Sequence, residues 1–177
     1  MESHQFTMGL GEKAKDFSLI ATDGKTYSLK GFKKDILVIA FWCNHCPYVR
    51  AVEDRVIAFA KKYGKQVDVI AINSNDEVNY PQDSFDNMIA RAKEKHFNFV
   101  YARDESQDVA RAYGGLCTPH FFVFDKDRKL VYQGSFDDNW EKPGKKQFLV
   151  NAVEVLIHGK PIAVSAAPVR GCSIKWK

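Results

Sequence analysis

The chain has 177 residues, 45% of them hydrophobic and 27% charged, which is the composition of one compact, well-cored domain and too little for two. Its 26 basic and 22 acidic side chains leave a charge of +4, and the basic residues come as scattered pairs such as Lys33–Lys34 and Lys61–Lys62, so neither nucleic acid nor a membrane surface is an expected partner. The longest apolar run, Ile36 to Cys43, is less than half the length of a bilayer-spanning helix.

The first ten residues show no basic stretch followed by an apolar one, which predicts a cytoplasmic protein. Phe17 to Ile20 and Tyr27 to Leu29 surround Asp23-Gly24 as a short hairpin. Ile36 to Trp42 has the β-branched content of a strand buried on both faces, and it runs into Cys43-Asn-His-Cys46. Val49, Val52, Val56, Phe59 and Tyr63 then recur at helical spacing until Gly64, and Val67 to Asn73 reads as a second buried strand. Strand, helix and strand make a right-handed parallel crossover.

A long loop, 74 to 83, shapes a substrate groove or merely caps the helix that follows, with Phe85, Met88, Ile89 and Ala92 on one face and Ser84 or Asp83 as cap. Further on, a strand is expected at 97–101 and a short helix at 106–113. His120 to Phe124 and Lys129 to Gln133 flank a polar connection and read as an antiparallel pair. A last helix at 145–158 is followed by an irregular tail, 162–177, in which Ile174 and Trp176 are expected to fold back. The sum is an α/β fold with a mixed central sheet, helices on both faces, and a core of about 10–158.

Four cysteines are too few for a disulfide scaffold, and in a reducing compartment such residues are more often redox-active than structural. Cys43 and Cys46, three apart where a strand meets a helix, are close enough to form a disulfide. Unpaired N–H groups at a helix start stabilise a thiolate, lowering thiol pKa values from about 8.5 to roughly 3.5–7.5. Cys43, at the strand end where its sulfur is expected to face solvent, reads as the nucleophile, and Cys46 as the resolving thiol. His45 either lowers the thiol pKa when protonated or is a solvent-facing spacer. Pro47 lacks an N–H and restrains Cys46, so the helix is expected to begin only there. A zinc site would need Cys117, Cys172, His120 or His45 to gather, because no second Cys-x-x-Cys exists; neither a metal nor another bound cofactor is called for.

With Phe41-Trp-Cys-Asn-His-Cys46 after a buried strand and Thr118-Pro119 before another, the chain resembles the thioredoxin superfamily over residues 10–158. That resemblance implies a cis peptide bond at Pro119, facing the cysteines and binding substrate backbone with Thr118, and makes Trp42 a flat apolar platform beside the nucleophile rather than simple core. Gly11 to Phe17, Asp23-Gly24 and Asn73-Ser-Asn-Asp76 resemble the alkyl hydroperoxide reductase and thiol-specific antioxidant, or peroxiredoxin-like, branch. Aligning Cys46 on the peroxidatic cysteine of that branch puts Cys43 at its Thr, Ile39 at its Pro and Pro119 at its Arg, so the peroxide-orienting groups are replaced. Cys117, two residues before Pro119, is then a rim thiol or a small packing residue, while Cys172 has no docking site fixed by sequence. The expected activity is thiol–disulfide exchange with a disulfide-containing protein or small molecule and an external thiol reductant; a thiol peroxidase and a non-catalytic redox sensor are the alternatives.

Overall fold

The computed structural model describes residues 6–177. A five-stranded sheet runs β5–β4–β3–β7–β8. Its centre is β3 (Ile36–Phe41), parallel to β4 (Val67–Asn73) and antiparallel to β7 (His120–Phe124), with β5 (Val100–Arg103) and β8 (Leu130–Gly134) outside. The expected amino-terminal hairpin is present as β1 (Ser18–Ile20) and β2 (Thr26–Ser28).

Alternation along β3 divides the core. Val38 and Ala40 face one side, where Val52, Val56 and Phe59 of α1 (Pro47–Tyr63), Met88 of α2 (Phe85–Glu94) and Leu149 and Val153 of α4 (Phe148–Ile157) cover them. Leu37, Ile39 and Phe41 face the other, against Val109, Ala110 and Tyr113 of α3 (Asp108–Tyr113) and Phe17 and Phe32 of the amino-terminal segment. With both faces filled, every residue of β3 is buried, which explains its unbroken apolar run.

Three boundaries differ from the sequence expectation for local reasons. The strand expected at 97–101 starts at Val100, because Phe97 and Phe99 stack with ring centroids 4.6 Å apart and pack into the core instead of pairing with β4. The last helix starts at Phe148 rather than Lys145, because Asp137 accepts the Gly144 N–H and Asp138 the Lys146 N–H, fixing 137–146 as a polar turn. The tail is more ordered than expected: Ala167 N–H bonds Gln133 O, and β9 (Cys172–Ser173) pairs antiparallel with β6 (Cys117–Thr118).

Candidate active site

The end of β3 delivers Cys43 into a turn, and Cys46 is the last extended residue before α1, with Pro47 opening the helix as expected. The missing proline N–H costs nothing in a first turn, whose N–H groups have no helical partner. Both sulfurs are buried, at 1% and 0% residue exposure, which corrects the expectation that Cys43 faces solvent. The cover is the segment before β7. Thr118 presents its Oγ1 at 3.2 Å from Cys43 Sγ and its carbonyl oxygen at 3.2 Å from Cys46 Sγ, and the Thr118–Pro119 bond is cis.

The two thiols titrate as one linked pair. Cys46 is drawn down to about 5, first by the hydrogen bond from the Cys43 thiol and, against burial, by the Cys172 thiol and the N–H groups of Val49 and Cys172. Cys43 is pushed far up, first by that same bond to Cys46, then by burial and by the nearby Asp83 carboxylate, with the Thr118 hydroxyl opposing. The pair therefore loses its first proton easily and holds the second tightly, as coupled groups do.

Asp83 is the site residue that sequence reading missed. Fully buried, its Oδ1 accepts the Asn44 N–H at 2.6 Å and Asn73 Nδ2 at 3.4 Å, and its Oδ2 accepts Asn75 Nδ2 at 2.8 Å and lies 2.5 Å from His45 Nδ1. Tyr101 donates to Asn44 Oδ1 at 2.7 Å, and Arg50 Nε to Asn44 O at 2.9 Å. These bonds hold the turn 43–46 by its middle residues. His45 is thereby neither a free spacer nor directed at a thiol: it bonds Asp83 and stacks on Tyr80. The sequence signal at Asp83 was only its place beside a helix start; Ser84 is the actual cap, accepting the Asn87 N–H at 3.3 Å.

Cys43 Sγ, a His45 nitrogen and an Asp83 oxygen lie within 4.8 Å of one another. Ligands about 2.0–2.3 Å from a tetrahedral zinc stand more than 3 Å apart, so the 2.5 Å His45–Asp83 spacing is that of a hydrogen bond and not of a ligand pair.

Trp42 is in the core, edge-on to Phe99 and Phe121 at centroid distances of 6.1 and 6.3 Å, and forms no exposed platform. Cys117 is buried, its thiol pushed up to about 12 by burial and then by Cys46 and Cys172. It also lines a groove of about 850 Å³ bounded by Tyr48, Val52, Pro119, Phe136 and Trp140. Arg55 holds the far wall through Asp137 and the carbonyls of Asn139, Trp140 and Lys142.

A mixed sheet whose central strand ends in two thiols beneath a cis-proline segment defines a thioredoxin-like redox protein. The chain belongs to the Redoxin family, which it matches over residues 10–149. Among curated proteins it is similar to the thiol-disulfide oxidoreductase ResA of Bacillus cereus, 27% identical over 138 residues, covering 74% of this chain and 72% of that protein. Two solved structures resemble it over nearly their whole length: an uncharacterized conserved protein from Geobacillus kaustophilus (41% identity, TM-score 0.92, 97% of this chain and 95% of that one) and a hypothetical protein from Sinorhizobium meliloti 1021 (39%, TM-score 0.91, 97% and 96%). A peroxidoxin, BcpB of Mycobacterium tuberculosis, shares the fold at 19% identity and TM-score 0.67, with 85% of this chain and 97% of that one covered.

Proposed function

We propose that Cys43 and Cys46 perform the thiol–disulfide oxidoreductase chemistry of this redoxin, with Cys43 attacking and Cys46 resolving. The observation that carries the reading is the double hydrogen bond of Thr118 to the two sulfurs. With the charge on Cys46, that sulfur accepts from the Cys43 thiol and from two N–H groups. When the shared proton crosses to Cys46, the Cys46 thiol donates to Thr118 O and the Cys43 thiolate accepts from Thr118 Oγ1. Both placements have partners, so charge reaches the attacking sulfur without an outside base.

The Cys43 thiolate then attacks one sulfur of a substrate disulfide. The substrate S–S bond breaks, its second sulfur leaves as thiolate, and a Cys43–substrate mixed disulfide forms. That thiolate takes the Cys46 proton, and Cys46 attacks Cys43, releasing the second substrate sulfur as a thiolate that is protonated by water and closing Cys43–Cys46. Two external thiols reopen the pair. The aromatic groove leading to Pro119 and Cys117 supports docking of a disulfide-bearing protein or small molecule, with Thr118 and Pro119 against its backbone. We also propose a cytoplasmic setting, supported by the sparse cysteines, and a contribution to antioxidant defence through disulfide repair.

The test is mechanism-based trapping. Cys46→Ser should accumulate a mixed disulfide between Cys43 and substrate, and Cys43→Ser should lose turnover without trapping substrate. Trapping by Cys43→Ser alone would reverse the roles, and normal turnover in either variant would overturn the dithiol mechanism.

A further inference from the structure

Cys172, 126 positions after Cys46, is built against it. It packs against the buried cluster that holds Cys43 and Cys46, and its thiol and N–H help to lower the Cys46 thiol. The placement is specified by several independent contacts. Strand β9 pairs Cys172 with Thr118, the same residue whose carbonyl meets Cys46. Gly171 lies so close that an added Cβ would stand 2.1 Å from Thr118 O, so the approach requires glycine. Beyond it, Lys175 N–H bonds Asn75 Oδ1 at 2.9 Å, its carbonyl accepts Asp76 N–H at 2.8 Å and Gln107 Nε2 at 2.9 Å, and Ile174 is buried.

The tail strand thus occupies the edge of β6 beside cis-Pro119, and it presents a cysteine there. We infer that Cys172 is a third redox-active cysteine, which exchanges with the Cys43–Cys46 disulfide to give Cys46–Cys172. In that step the deprotonated Cys172 sulfur attacks Cys46 Sγ, the Cys43–Cys46 bond breaks, and Cys43 leaves and takes up the proton that Cys172 lost. One disulfide replaces another, with no net oxidation. Cys43 is freed for a second substrate while the oxidising equivalent is held under the tail. Burial pushes the Cys172 thiol up to about 11, and its interaction with Cys46 adds to that shift, so Cys172 rests as a thiol.

This rests on Cys43 and Cys46 forming the working disulfide, and one experiment separates the two claims. Trypsin leaves Cys43 and Cys46 in peptide 35–50, Cys117 in 112–126 and Cys172 in 171–175. After oxidation with oxidised glutathione, Cys43→Ser should give mainly 35–50 linked to 171–175. Gly171→Ala, made in the Cys43→Ser protein, should cut that product severalfold, and Gly171→Ala alone should keep the internal disulfide of 35–50. An internal disulfide in the unaltered protein, together with only glutathione adducts or a 112–126 link in Cys43→Ser, overturns the exchange and leaves the proposed function standing. An unaltered protein with neither an internal disulfide in 35–50 nor a link from 35–50 to 171–175 overturns both.

Discussion

The two flanks of the dithiol are built from opposite materials. On one side the loop 74–84 brings Asp83 and Asn75, and β4 and β5 bring Asn73 and Tyr101, a polar cage that fixes the turn through Asn44 and places a carboxylate near Cys43. On the other, β6 and the tail bring Cys117, Cys172, cis-Pro119 and Ile174. The first flank acts on the proton, keeping it on Cys43, and the second supplies sulfur and donors to Cys46. A pair of identical side chains is made unequal by its neighbours alone.

Neither flank brings a cation to the sulfurs: among the described residues no arginine hydrogen-bonds Cys43 or Cys46. With Ile39, Cys43 and Pro119 in place of the peroxiredoxin Pro, Thr and Arg, each missing positioning group costs about a hundredfold or more in rate. Hydrogen peroxide should therefore oxidise the reduced protein no faster than it does an ordinary thiolate. Stopped-flow fluorescence, with Trp42 as the reporter beside the pair, checks this, and oxidation orders of magnitude faster would make the protein a peroxidase.

Asp83→Asn probes the polar flank. Losing the charge-assisted bonds should destabilise the protein by about 1–3 kcal/mol in urea unfolding and should make the second thiol proton easier to remove. An unchanged midpoint would show that the cage is decorative.

Stability of the reduced protein should also follow pH. Cys46 falls from an ordinary 9.0 to about 5, so between those values the unfolded chain binds more protons and stability rises with pH. Above pH 9 the unfolded chain loses the protons that folded Cys43, Cys172 and Cys117, all raised, still hold, so stability falls. Urea midpoints of the reduced protein that decline steadily from pH 5 to 9 would contradict this.

The smallest effect is expected from Gly171→Ala. Moving the tail removes the Cys172 donors, and the Cys46 thiol should rise by a fraction of the full shift while the fold stays intact. A lower value would mean the tail opposes the charge.

What was legible in the sequence was local. The buried strand, the two cysteines at its end and the start of α1 at Pro47 are carried by contiguous residues, and the cis bond at Pro119 was implied by the family resemblance. Asp83 and Cys172 were not, because their roles depend on where a long loop and a tail come to rest, and those positions are set by tertiary contacts such as Asn75 to Lys175 and Thr118 to Cys172. Trp42 misled for the opposite reason: its place beside Cys43 is local, but the direction of its ring is decided by Phe99 and Phe121.

The most direct test of the shared-proton pair is a pH titration of thiolate ultraviolet absorbance on the fully reduced protein. One thiolate should appear with a midpoint near the Cys46 value of about 5, with no second until above pH 10, since Cys172 and Cys117 lie at about 11 and 12. A first step near 9, or two thiolates appearing together, would contradict the account.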